Sequence, residues 1–208
     1  MPGPRPEIAG LERAIRSRAA ARLAVDAQLC HDAVASGVRH AVLVEGRSDA
    51  AAMTVLAERL GRDLDAEGVI VIPMGGAMSV SRFVRVVGAD GLGLRVIGLC
   101  DAGERAQFDR LLPVRDVFAC ERDLEEELIR ALGVDGAEGV LDVQGDLARF
   151  RTFQRQPAQR DRPVDAQLHR FLGSVGGRKE RYAGAMVHAL NTGAIPGPLA
   201  ALFAALTR

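Results

Sequence analysis

From Arg39 onward, short runs rich in Val, Ile and Leu alternate with segments of helical spacing, and this alternation constrains the fold more than any other feature. His40 to Val44, Val69 to Pro73, Leu94 to Cys100 and Arg115 to Cys120 read as strands. Asp49 to Leu60, Met78 to Val87 and Glu104 to Leu112 read as the helices between them. A β-α-β-α order calls for a parallel sheet with right-handed crossovers and helices on its faces. The strand-to-helix loops of such a sheet all open on one edge, so residues just beyond the strands share a space. Acids stand at two of these positions: Glu45 closes HAVLVEGRSD and Asp101 closes RVIGLCDAGE.

The rest of the chain reads as helical. Ile8, Leu11, Ile15, Leu23 and Leu29 are spaced for a long helix or a helix pair between Glu7 and Ala35. This predicts an N-terminal helical region over 1–38, followed by an α/β domain with a C-terminal helical extension over 39–208. Asp123 to Leu132 reads as a strongly acidic helix and Ala137 to Phe150 as another. Arg151 to Pro163, with its prolines and no periodicity, reads as an exposed loop. Helices are expected again at Val164 to Leu172 and Lys179 to Leu190, then an IPGP turn and a short apolar helix.

Composition excludes some functions. The 208 residues are 48% hydrophobic, enough for a sizeable core, but aromatics are 4% and Trp is absent, which argues against a base-stacking platform. Lys+Arg and Asp+Glu both total 27, so a broadly cationic nucleic-acid coat is not expected. The charge is unevenly distributed, however. Asp101 to Asp146 holds thirteen acids against five Arg, and Leu147 to Tyr182 holds nine basic residues against three acids. That pattern suits acids that hold a metal beside cations that face phosphates, or equally two solvated faces of opposite bias. The three cysteines form no CxxC pair, and no run of about 18 apolar residues occurs, so a soluble cytoplasmic protein without membrane contact is expected.

The acids at the strand ends suggest chemistry. Gly46 removes side-chain bulk next to Glu45, where a metal or phosphate would approach. Asp49 is either a partner for Glu45 or simply the N-cap of the next helix. Asp101, directly after LRVIGLC, would lose hydration unless it had a partner. Carboxylates held this close need either raised pKa values or a cation such as Mg2+.

The stretches VLVEGRSDAAAMTVLAERLG, VIPMGGAMSVSRFV and VIGLCDAGE resemble the Toprim domain, most closely that of the OLD-type nucleases (overcoming lysogenization defect). The resemblance spans Arg39 to Leu190. It implies a Rossmann-like Toprim fold with about four parallel strands, flanked by helices and extended by helices at both ends. It also implies Mg2+- or Mn2+-dependent endonuclease activity on DNA, with two ions roughly 3.5–4 Å apart. Carried over residue by residue, Glu45, Asp49 and Asp101 would hold the first ion, and Asp123 and Glu125 of ERDLEEEL the second. Gly103 stands where the family has the second Asp of its DxD motif, and Glu104 is the candidate replacement. Lys179, the sole lysine, matches the downstream catalytic lysine, with an ordinary surface lysine as the alternative. Glu45 could double as general acid or base, by resemblance to topoisomerase Toprim sites.

Gly75 and Gly76 either offer backbone N–H groups to phosphate or make a tight turn, and Arg178 either meets a DNA phosphate or is solvated. Tyr182 is expected to pack rather than react, and His31, His40, His169 and His188 to be structural. OLD nucleases carry an ATPase domain, whereas this sequence has no GxxxxGK[ST] run, so a separate ATPase partner is left open, as is homo-oligomerisation. Two alternatives stand beside nuclease activity. One is a nucleotidyl transferase or hydrolase acting on small phosphate substrates. The other is a catalytically weak Toprim module that binds nucleic acid or a partner.

Overall fold

Successive residues of β1 (His40–Val44) enter different cores: Ala41 and Leu43 go to one side of a sheet, Val42 and Val44 to the other. The same alternation in β2 (Val69–Pro73) and β3 (Arg95–Asp101) explains their nearly continuous apolar runs, because a parallel sheet is covered on both faces. With β4 (Val117–Cys120) these strands form a four-stranded, all-parallel sheet in the order β2-β1-β3-β4. The computed structural model describes residues 5–174 and 177–207. The architecture is the expected α/β Toprim fold, with helices on both faces of the sheet.

On one face lie α1 (Pro6–Ala21), α2 (Ala27–Ala35), α4 (Val80–Val87) and α5 (Arg105–Asp109). The expected N-terminal helix is thus a pair, divided where Arg22 takes a left-handed conformation. Ile8, Leu11, Ile15 and Ala19 of α1 are buried in the same core as Ile70 and Phe83, so the segment before residue 39 completes this layer. Gly98, in the middle of β3, lets Phe108 of α5 lie directly on the sheet. A Cβ at Gly98 would stand 2.5 Å from the Phe108 ring.

The other face carries α3 (Arg47–Arg59), α6 (Leu124–Val143), α7 (Leu147–Gln154), α8 (Val164–Gly173), α9 (Arg178–Ala189) and α10 (Gly197–Ala205). Helices α3 and α9 run side by side in the same direction. Arg47 pairs with Glu180 at 3.2 Å near their starts, and Arg59 donates to the Val187 carbonyl at 2.5 Å near their ends. Leu56 and Met186 are among the buried residues of this layer, and truncating either to Ala should cost about 2–5 kcal/mol. Because the helices are parallel, the start of α9 lies beside the start of α3, at the carboxyl edge of the sheet.

Several boundaries differ from expectation. β3 runs one residue further and includes Asp101, while β4 begins at Val117 because Val114–Asp116 forms a 3-10 turn. Asp116 there is buried and bound by Arg95 at 2.6 and 3.2 Å. The helix expected from Ala137 to Phe150 is instead the end of α6, which is interrupted at Gly133, followed by the separate α7. The stretch expected to be a loop from Arg151 is helical to Gln154, and its remainder is tied to α8. Gln167 donates to the carbonyls of Gln159 and Arg162 at 2.8 and 2.9 Å and accepts from Gln154 at 2.7 Å. Among the described residues, no helix is long and apolar enough to cross a membrane.

Candidate metal centre

The chain leaves β1 toward β2 on one side and crosses back to β3 on the other, so the loops after β1 and β3 diverge and open a crevice between those strands. Glu45 lies just beyond β1 at this point and Asp101 is the last residue of β3. A 3-10 turn, Ala102–Glu104, follows Asp101 and returns Glu104 to the crevice. One carboxylate oxygen each from Glu45, Asp101 and Glu104 lies within 4.8 Å of the others. Gly103 has no side chain to offer, and Glu104 is the acid that this turn brings beside Glu45 and Asp101.

Asp49 is not the N-cap. α3 starts two residues earlier, and Asp49 Oδ2 accepts the Gly46 N–H at 2.8 Å from within the first turn. It remains near enough to Glu45 and Glu125 for their charges to act on its carboxyl. Asp123 caps α6, accepting the Glu126 N–H at 2.9 Å, and its other oxygen lies 2.5 Å from His169 Nε2. Glu125, in the first turn of α6, is buried and lies 3.3 Å from Lys179 Nζ.

These groups are held out of their usual ionisation ranges. Glu45 is pushed up to about 7 by burial, then by a hydrogen bond shared with Glu104 and by that neighbour's charge. Asp49 also rises to about 7, through burial first and then Glu125 and Glu45, despite the Gly46 hydrogen bond. Asp101 reaches about 7 through burial and the charges of Glu45, Asp123 and Asp49. For Lys179, burial favours the neutral amine but is outweighed by Glu125, Asp123 and Asp49, which raise its pKa and keep it positive. Burial likewise opposes ionisation of Asp123, yet hydrogen bonds from His169 and the Glu126 N–H lower its pKa.

The donor set suits a hard divalent cation. Its ligand atoms are carboxylate oxygens, which favour Mg2+ or Mn2+ over softer ions. Glu104 Oε2 and Glu125 Oε1 are both buried without a hydrogen-bond partner, a costly state for an acceptor that a cation would relieve. The raised pKa values point the same way, since burial first and then the neighbouring carboxylates leave the charge of these acids under-compensated.

Other expected contacts are already committed within the protein. The N–H groups of Gly75 and Gly76 both donate to the Glu45 carbonyl, at 3.0 and 3.1 Å, and so are not free for a phosphate. Both glycines have positive φ, so the tight turn accounts for them. Arg178 is also occupied. Its guanidinium sits 4.1 Å from the Phe171 ring centroid, donates to the Phe171 carbonyl and Ser174 Oγ at 2.9 Å, and is about 10% exposed. Tyr182 is fully buried and donates to Asp146 at 3.0 Å, as a packing residue rather than a nucleophile. Sequence reasoning missed Asp146, a buried carboxylate that also binds Arg149 at 2.8 Å and Arg181. Two of its partners, Arg181 and Tyr182, follow Lys179 within the first turns of α9, so Asp146 braces the helix start that carries the lysine. No local spacing signals that contact, because 35 residues separate Asp146 from Arg181.

Residues 38–102, from just before β1 to just after β3, match the family model described as overcoming lysogenization defect protein-like, TOPRIM domain. The fold is similar to that of the C-terminal region of the Burkholderia pseudomallei OLD protein, with a TM-score of 0.63 and 18% identity over 82% of this chain and 97% of that one. It is also similar to the C-terminal region of the Xanthomonas campestris pv. campestris OLD protein, with a TM-score of 0.60 and 23% identity over 81% and 94% of the two chains. No match was found among curated proteins. The chain carries an OLD-like Toprim domain and has the fold of OLD C-terminal regions.

Proposed function

We propose that this chain is a metal-dependent nuclease that hydrolyses DNA phosphodiester bonds, with two Mg2+ or Mn2+ ions held by its acidic crevice. The observation that carries the reading is the convergence of Glu45, Asp101 and Glu104 at the β1–β3 switch point, with Lys179 close to the adjoining Glu125. Glu45, Asp101 and Glu104 would hold one ion with Asp49 beside them, and Asp123 and Glu125 the other. When bound, the ions supply positive charge that polarises the phosphoryl group and eases ionisation of the attacking water.

The protein's own groups orient and neutralise. Lys179, kept protonated by the surrounding acids, offers a compact charge to the scissile phosphate as negative charge builds in the transition state. Partial burial of the carboxylates lowers the local dielectric of the crevice, which strengthens each charge interaction. The position of Glu104 favours hydrolysis over a catalytically weak binding module, because it supplies the carboxylate that Gly103 lacks. A separate ATPase partner is part of this proposal by analogy with OLD proteins.

The test is incubation of supercoiled plasmid with the protein in Mn2+, Mg2+ or chelator, with Glu45→Ala and Lys179→Met alongside. Metal-dependent nicking lost in both variants supports the nuclease. An intact plasmid together with phosphate release from nucleotides would move the activity to small phosphate substrates.

A further inference from the structure

His169 has no ligand-like spacing in the sequence, yet it touches the metal centre. Its Nε2 lies 2.5 Å from Asp123 Oδ2, a contact between residues 46 positions apart. Asp123 Oδ1 is engaged separately by the Glu126 N–H at 2.9 Å. The N-cap bond alone fixes one oxygen and leaves the carboxylate plane able to swing. The second bond, from a different helix, removes that freedom, and each oxygen still has lone-pair capacity for a cation.

The ring is itself firmly held. It sits on α8 between Leu168 and Phe171, both buried in the core shared with Leu124 and Leu128 of α6. Gln167, two residues before it, anchors α8 to the preceding segment through the hydrogen bonds described above. The His169 side chain is about 14% exposed and Asp123 about 17%, so the contact is largely shielded from solvent.

We propose that His169 is a positioning residue of the metal centre, fixing the Asp123 carboxylate in the orientation that holds the second divalent ion beside Glu125. This inference rests on the two-ion reading above. Hydrogen-bonding partners of metal ligands commonly change metal affinity about 10- to 100-fold when removed. His169 therefore acts through Asp123 and not on substrate.

The experiment counts Mn2+ bound to the full chain by electron paramagnetic resonance. It compares wild type, His169→Leu, His169→Gln, Asp123→Ala and the Asp123→Ala/His169→Leu double variant. Leu keeps bulk without a donor, whereas Gln keeps an N–H. The expected result is two ions in wild type, with one weakened about 10- to 100-fold in His169→Leu and largely restored in His169→Gln. In the Asp123→Ala background, His169→Leu should have no further effect, a non-additivity that a general packing role would not produce.

The proposal is overturned if His169→Leu binds both ions as wild type does, if His169→Gln loses as much as His169→Leu, or if the two substitutions are additive. It is also overturned if wild type binds a single ion. Should His169→Leu fail to fold, His169→Gln decides: retained binding of both ions supports the proposal and loss of one overturns it. A wild type that binds no Mn2+ at all would instead sink the metal-dependent reading itself.

Discussion

Carboxylates at two places in this molecule, partly buried at one and fully buried at the other, have opposite surroundings. At the β1–β3 crevice, Glu45, Asp49 and Asp101 have too few donors for their charge, and all are pushed up to about 7. At the start of α7, Asp146 is met by Arg149, Arg181 and Tyr182; burial disfavours its charge, but these partners hold its pKa below the ordinary range. A carboxylate saturated by its own protein is a structural brace. A group of carboxylates left short of positive charge is prepared for a cation from outside.

The contrast predicts opposite outcomes for removing an acid. Glu45→Ala should lower metal-dependent cleavage by at least about 100-fold, roughly 2.7 kcal/mol of barrier, while the metal-free protein keeps or gains thermal stability. Asp146→Ala should instead act mainly on stability. It leaves the buried Tyr182 hydroxyl without its acceptor, and a loss of about 2–3 kcal/mol is expected, after discounting Arg149 and Arg181 because both reach solvent. Mn2+ stoichiometry should be unchanged in Asp146→Ala. Denaturant melts in chelator together with cleavage rates check both, and a Glu45→Ala variant as destabilised as Asp146→Ala would erase the distinction.

Titration sharpens the comparison with a smaller effect. The crevice acids have folded pKa values above those of the unfolded chain, so the folded state holds more protons between about pH 4 and 7. Their contribution to stability is complete below that window and is lost as pH rises through about 7. His40, whose pKa is lowered by burial and by Arg95, opposes the trend as one group against three. Asp146 contributes no slope here, because its stabilisation is lost only in strong acid. In chelator the protein should therefore melt several degrees higher at pH 5.5 than at pH 8. Mn2+ binds the ionised acids, so its stabilising shift should be larger at pH 8. Equal shifts at both pH values would show that the metal binds elsewhere.

Much of this site was legible because parallel α/β topology converts strand ends into neighbours. Reading His40–Val44 and the run ending at Cys100 as parallel strands was enough to put Glu45 and Asp101 on one edge of the sheet, and the pairing of β1 with β3 makes them neighbours. Glu104 was legible as a candidate through the family resemblance, and a single turn after Asp101 places it in the crevice. Commitments made by tertiary contact were not legible. Arg178 looked available for a phosphate until Phe171 and Ser174 took its guanidinium. Gly75 and Gly76 looked open until the Glu45 carbonyl took their N–H groups. The His169–Asp123 contact was hidden for the same reason, since 46 positions separate the two residues. The break between α6 and α7 is local instead: Gly145 takes a positive φ, and the Asp146 N–H donates to the Leu141 carbonyl at 2.8 Å.

The most direct test is a crystal soaked in Mn2+ and measured for anomalous scattering. The account predicts a peak bounded by the Glu45, Asp101 and Glu104 carboxylates, and a second beside Asp123 and Glu125. A crevice free of anomalous density, with Mn2+ bound only at other surface acids, would contradict it.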